Sequence, residues 1–450
     1  MKRTSMFLGP LAAVIAGAAA LPAGAQDQDA GIKAWLQRVN LSLDQEKPPE
    51  PPPAPAQQPG QESPVTPRQN LNDHQEGAPR LDKLTLDPKY LGFIPIPNTP
   101  MMIKFNAKPR VDMTLDNGNA GDDNRFITAK IPVSNDPAQG GGSVFNINAK
   151  GSQLTLEVRA PELEGSPRFF YQNDFYGSGG GEFPYRIRHL YGEVHNVIVG
   201  MTFSVFEDPD VWPDTVDYEG PNSAIFARRP LARFMLALNP EWHLNFGIEQ
   251  PESEIDNSAD PAGAAINHWP DIGANVRWEA KDTGHVQLAT ILRQLGYRGP
   301  VTGNQRTMGW GFNLSAVLNV FAADSAQAQV TVGEGIFRYM NDDFFNNDAA
   351  FDSSGDLQAI PCAAFMLGYT HRWNEEWRST VSYGYVNLDN EASQGPDAYH
   401  LTHYTSANVV WQARKRLNLG FELLYGSKET NDGHTGNASR VMFGLVYSLF

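Results

Sequence analysis

Basic side chains recur at alternate positions through a series of short segments of this 450-residue chain, and they are its best candidates for binding chemistry. Lys104, Lys108 and Arg110 share one parity, with Ile103, Phe105, Ala107 and Val111 on the other. Arg159, Arg168, the pair Arg186 and Arg188, the pair Arg229 and Arg233, and then Arg277 and Arg293 fall in later segments of the same kind. A guanidinium is a planar fork that meets both oxygens of a carboxylate, so such a set suits carboxylate-bearing solutes. Arg228 is in the opposite register to Arg229, and only one of the two points the same way unless the strand bulges. Against these cations stands the acidic stretch 206–225, with Glu207, Asp208, Asp210, Asp214, Asp217 and Glu219 beside Trp212 and Tyr218. Folded inward, it would face the arginines as a constriction loop and set a transverse field that orients a dipolar or dianionic solute. The plainer readings are a hydrated surface loop, and arginines that only pair with neighbouring carboxylates.

Other chemistry is poorly supported. His400 and His403 would lie on opposite faces of a strand, so they make a poor metal pair. Asn341 to Asp352 is rich in Asp and Asn but lacks the calcium-loop spacing with its late Glu. The glycines of 177–181 are followed by neither the Lys nor the helix of a phosphate loop. No nucleophile–base arrangement is visible. The expectation is no catalytic group, no metal and no cofactor.

The elements that must position the cations read as strands. From Met101 to the C-terminus the hydrophobic period is two, as in Val197, Val199, Met201, Phe203 and Val205, or Leu417, Leu419, Phe421, Leu423 and Tyr425. One alternation means little, but a long series without an amphipathic helix between predicts an all-β transmembrane antiparallel barrel. Short turns such as 239–241, 281–284, 374–376 and 414–416 alternate with long polar segments at 206–225, 251–270, 297–306, 340–358, 388–400 and 427–438. Trp242, Trp278, Trp373, Trp377 and Trp411 sit beside the short turns, where an interfacial girdle belongs. Strict parity predicts 16 strands, with 116–151 as a long first loop. Strands at Phe126–Val133 and Val144–Ala149 would make it 18.

Composition agrees. After residue 25 no apolar run reaches the roughly 18 residues of a spanning helix. Mean hydropathy is -0.40, which alternating barrel strands allow. A net charge of -16 argues against nucleic-acid partners. The lone Cys362 excludes a disulfide within the chain. At the start, Lys2 and Arg3, the apolar run Met6 to Ala20 and Ala23-Gly24-Ala25 form a secretory signal, residues 1–25. A short helical periplasmic segment is expected at 26–46, where Ile32, Trp35, Leu36, Val39 and Leu43 approach helical spacing. The proline-rich stretch 47–85 reads as a semi-rigid linker, and the barrel occupies 86–450. The terminal Phe450 fits an outer-membrane assembly signal, one place off the commonest register.

Gly92-Phe93-Ile94-Pro95-Ile96-Pro97, followed by Met102-Ile103-Lys104-Phe105-Asn106-Ala107-Lys108-Pro109-Arg110-Val111-Asp112, resembles the opening of the DcaP-like porin family. Ala227-Arg228-Arg229-Pro230 fits it too, and the resemblance covers roughly 85–450. It implies a trimeric, 16-stranded outer-membrane porin, in contact with lipid and lipopolysaccharide, that favours anionic solutes such as dicarboxylates. On the residues alone, a lipase-like barrel enzyme and a plugged structural or adhesin barrel stay open.

Overall fold

The computed structural model describes Leu71 and residues 92–449, apart from 322 and 344–346. The expected signal, the helical segment 26–46, all of the linker but Leu71, and Phe450 lie outside the described residues.

The alternating segments form strands in antiparallel sequence. β1 is Met102–Lys108 continued by Arg110–Asn117, and the break falls at Pro109, which has no N–H to donate to a ladder. β2 is Val144–Asn148 continued by Gln153–Arg159. There follow β3 (Arg168–Asp174), β4 (Arg186–Val194), β5 (Val197–Phe203), β6 (Arg228–Ala237) and β7 (Trp242–Glu249). Next come β8 (Asp271–Ala280), β9 (Gly284–Gly299), β10 (Gly303–Val320), β11 (Asp324–Glu334) and β12 (Pro361–Arg372). The series ends with β13 (Trp377–Leu388), β14 (Tyr399–Arg414), β15 (Leu417–Thr430) and β16 (Thr435–Tyr447). Each pairs with the next, and β16 returns to β1 with Val441 opposite Leu115, so the sheet closes. Its twenty hydrogen-bonded strands include both halves of β1 and of β2 and the short strands Ile94–Pro95 and Ala264–Ile266. Sixteen staves remain among the described residues.

Closure leaves no unpaired edge, which is what lets a sheet cross lipid. The outward set is apolar and exposed: Phe105, Phe145, Val199, Phe246, Val381 and Phe443 are all more than half accessible. At the short-turn end Trp377 and Trp411 face each other across β13 and β14, their rings 5.5 Å apart and nearly parallel. Trp242 and Trp278 are opposite one another on β7 and β8. Among the described residues no helix is long and apolar enough to span a membrane.

Three loop expectations are corrected. Segment 297–306 is no long loop, because β9 and β10 stay paired up to Gly299 and Gly303. Beyond the lipid nothing demands an apolar outer face, so polar pairs such as Tyr297 and Gln305 carry the ladder on. Likewise β15 and β16 continue to Glu429 and Thr435, which shortens the expected 427–438 loop. The first loop is shorter than 116–151 because Val144–Asn148 pairs with β1. Phe126–Val133 is not a strand; it contains a 3-10 turn at Thr128–Lys130, packed inside with Phe126, Ile127 and Ile131 buried.

Candidate functional site

The interior is organised by the segment 204–227 between β5 and β6. It runs across the lumen, and nearly every residue in it is buried. Polar side chains on the inner faces of distant staves hold its carbonyls. Asn275 on β8 donates to Val205 O (2.7 Å), Asn313 on β10 to Phe206 O (3.2 Å), and Gln329 on β11 to Ser223 O (2.9 Å). Asn408 on β14 donates to Asp214 O at 2.7 Å, and Arg110 on β1 to Val216 O at 2.5 Å. Inward glycines make room where the loop touches the wall. A Cβ at Gly420 would fall 2.5 Å from Val216, and one at Gly444 would fall 2.8 Å from it. Leu71 is seated here too, buried against the same glycines, its amide donating to Asp214 Oδ1 at 2.6 Å.

The acidic residues of this loop are tied to the wall rather than arrayed across an open gap. Asp208 bonds His285 Nε2 (2.8 Å), Ser315 Oγ (2.6 Å) and Arg277 Nη1 (3.2 Å). Burial pushes Asp208 up, but His285 and Arg277 outweigh it and hold the carboxyl at about 2. Asp210 pairs with Arg277 at 2.7 Å. Asp208, Asp210 and His285 bring ligand atoms within 4.8 Å of one another, but Arg277 already supplies the positive charge between the two carboxylates. Glu207 accepts from Ala227 N at 2.9 Å, and burial raises its carboxyl well above the usual range. Asp214 pairs with Arg378 on β13. Asp217 accepts from the amides of Phe126 and Gly220, and Glu219 pairs with Arg125 at 3.0 Å. In a low-dielectric interior an unpaired carboxylate is expensive, so partners were to be expected.

The predicted cations separate into groups. Arg159 and Arg168 share Glu157, at 2.5 and 2.7 Å. Arg110, Arg186 and Arg188 gather around the stacked rings of Tyr176 and Tyr218, which lie 4.9 Å apart. Arg110 pairs with Asp112 (2.7 Å); Arg186 and Arg188 share Asp174 (2.6 and 3.1 Å). A register shift between Gln172 and Asn173 lets Arg188 and His189 both turn inward, as a bulge does. Arg293 is held by Asp271 and Asp348, both at 2.9 Å. Lys104 lies over the Phe93 ring at 5.8 Å, and Lys108 is buried on the inner face. Arg229 and Arg233 on β6 are different. Both are nearly buried, and neither has an ion-pair partner among the described residues. Arg229 lies over the Tyr339 ring at 4.6 Å, and Arg233 donates to Phe203 O.

Some interior residues escaped the sequence reading. Arg378 and Arg440 were open to it, since both oppose the apolar set of their strands; Arg440 pairs with Asp116 at 2.6 Å. Arg125 sits in a loop without parity. Phe226 shares the parity of the apolar Ala232, Phe234 and Leu236, but it turns inward against Trp212. The outer mouth, built by the long loops, encloses about 760 Å³ lined by Lys130, Lys428, Asp136, Asp256 and Asp397.

A family model described as DcaP outer membrane protein matches residues 60–448. The crystal structure of the outer membrane channel DcaP of Acinetobacter baumannii superposes with a TM-score of 0.68 at 20% identity, covering 78% of this chain and 97% of that one. An anion-selective porin from Comamonas acidovorans superposes with a TM-score of 0.50 at 13% identity, covering 78% of this chain and 100% of that one. No curated protein sequence matches the chain. At these identities the superpositions speak to the fold.

Proposed function

The chain belongs to the DcaP outer membrane protein family and is an outer-membrane porin; from that premise we propose that it passes small anions, dicarboxylates in particular, by passive diffusion through an arginine-lined constriction. The observation that carries this reading is the basic inner face of β6, where Arg229 and Arg233 face the lumen and make no ion pair among the described residues. A wall with surplus positive charge raises the local concentration of anions and lowers that of cations. Of the acids of 204–227, Asp208, Asp210, Asp214 and Glu219 are engaged by Arg277, His285, Arg378 and Arg125, while Glu207 lies in electrostatic reach of Arg233. The loop acts by narrowing the passage, and the arginines act by sign.

The same reading includes a homotrimer in outer-membrane lipid and lipopolysaccharide, made after residues 1–25 are removed on export; the mass of the detergent-solubilised protein and its N-terminal sequence test these two points. The central test is the reversal potential of the purified protein in planar bilayers under a KCl gradient, repeated with succinate. Anion selectivity is expected, and charge reversal at Arg229 or Arg233 is expected to reduce it. A cation-selective channel would remove the anion reading while leaving the porin. A folded barrel that does not conduct would favour a plugged structural barrel.

A further inference from the structure

Parity sets Arg228 aside, because its neighbour Arg229 takes the inward register. The structure reverses this at the first residue of β6. Phe226 enters the lumen, its ring edge-on to Trp212 with centroids 5.1 Å apart, and the Arg228 guanidinium lies over the Phe226 ring at 4.6 Å. The charges in electrostatic reach of Arg228 include Arg188, Arg186 and Asp174, together with the buried Glu207. Asp174 is fully engaged: it holds Arg186 at 2.6 and 2.8 Å and Arg188 at 3.1 Å, and it accepts the Tyr218 hydroxyl at 2.9 Å. Asp174 is thus taken up by Arg186 and Arg188 and makes no ion pair with Arg228. Arg228 makes no ion pair among the described residues, and its Nη1 is buried without a hydrogen-bond partner. Arg188 has no exposed surface, and its Nη2 is also without a partner. The other β6 arginines are better compensated, since Glu249 lies in reach of both Arg229 and Arg233.

We propose that Arg188 and Arg228 form an anion seat on the lumen wall, completed in transit by a carboxylate of the solute. A buried guanidinium N–H without an acceptor carries a standing free-energy cost, and a charged oxygen relieves it better than a neutral one. The Phe226 and Tyr218 rings lie against the two guanidiniums, 4.6 and 5.6 Å from the ring centres, and fix where their forks point. The seat gives a specific stopping point within a wall that is otherwise attractive only by its sign. It rests on the anion-porin reading above.

The test is the concentration of succinate that half-blocks the KCl current of the purified porin in a planar bilayer. Losing a charge-assisted bond of this kind weakens binding by about tenfold or more. Arg228→Gln is therefore expected to raise the half-blocking concentration by that factor. Arg228→Lys, which keeps the charge but loses the fork, is expected to recover part of it. Both variants should keep the heat-modifiable mobility of the folded barrel. A folded Arg228→Gln protein with the wild-type succinate response would overturn the seat, while wild-type anion selectivity would still support the porin reading. A cation-selective wild type overturns both. Should Arg228→Gln fail to fold, crystals of the unaltered protein soaked in bromide decide the matter: an anomalous peak between the two guanidiniums supports the seat, and its absence overturns it.

Discussion

Asp217 offers a quantitative test of how the inward segment 204–227 is docked. Its carboxyl is fully buried and accepts from Phe126 N (3.2 Å), Glu219 N (3.4 Å), Gly220 N (3.1 Å) and Tyr404 Oη (3.4 Å). Its own amide donates to Glu422 Oε2 on β15 at 2.5 Å, while Glu219 from the loop and Arg440 from β16 act on it at longer range. Burial dominates and raises the carboxyl from 3.8 to about 6, against the pull of Arg440. A raised folded pKa means that the docked loop holds the proton more tightly than the unfolded chain does. The stability this contributes is therefore complete below about pH 3.8 and is lost as pH rises through about 6. At 1.36 kcal/mol per unit the loss is about 3 kcal/mol. Asp217→Asn keeps an acceptor oxygen for the amides but never ionises. The expected result is a wild type that loses thermal stability between pH 4 and pH 7 and a variant that loses much less, becoming the more stable of the two near pH 7.5. Glu422 is present in both proteins, so their difference isolates Asp217 and its coupling to that neighbour. The assay is the temperature of the heat-modifiable gel shift across that pH range, with protease protection of 204–227 as a local readout. Parallel profiles for the two proteins, or a variant weaker than wild type at pH 7.5, would refute the reasoning.

Two further outcomes follow from the packing. Arg293→Met removes the partner of both Asp271 and Asp348, each 2.9 Å away. Stranding buried carboxylates in this way should destabilise the barrel by about 3–5 kcal/mol, read as a lower unfolding temperature; a shift within error would show that water already screens the pair. Gly444→Leu places a Cβ 2.8 Å from Val216 Cγ1. Overpacking of this kind costs about 1–3 kcal/mol, so the loop should leave the wall, with altered single-channel conductance and faster proteolysis at 204–227. Unchanged conductance would mean the wall yields instead.

Much of the barrel was legible along the chain because stave parity is a local property. Each residue of Leu417–Thr430 faces lipid or lumen according to its position in a period of two, and neighbours in sequence suffice to show it. The tryptophans at 242, 278, 377 and 411 were equally readable, since they mark the ends of such runs. The reading failed where strands outlast the membrane, as in β9 and β10, because polar residues on both faces leave no alternation to detect. It failed also at Phe126–Val133, whose apolar residues serve an inward-folded loop rather than a stave.

The site was half legible for the same reason. Parity placed Arg110, Arg186, Arg188, Arg229, Arg233 and Arg277 on the inner face, but it could not say which of them would be neutralised. Asp112 lies two residues from Arg110, whereas Asp208, which meets Arg277, and Asp214, which meets Arg378, come from a distant part of the chain. Arg228 ran against parity altogether, because a strand's alternation has no hold on its first residue when the preceding loop is packed across the lumen. The sequence by itself determined a closed barrel of alternating staves and the strand positions that turn arginines inward, since both follow from local periodicity and side-chain type. Only the tertiary structure decided which cations make no ion pair among the described residues, because charge compensation of buried groups depends on what the folded loop brings together and not on their order in the chain.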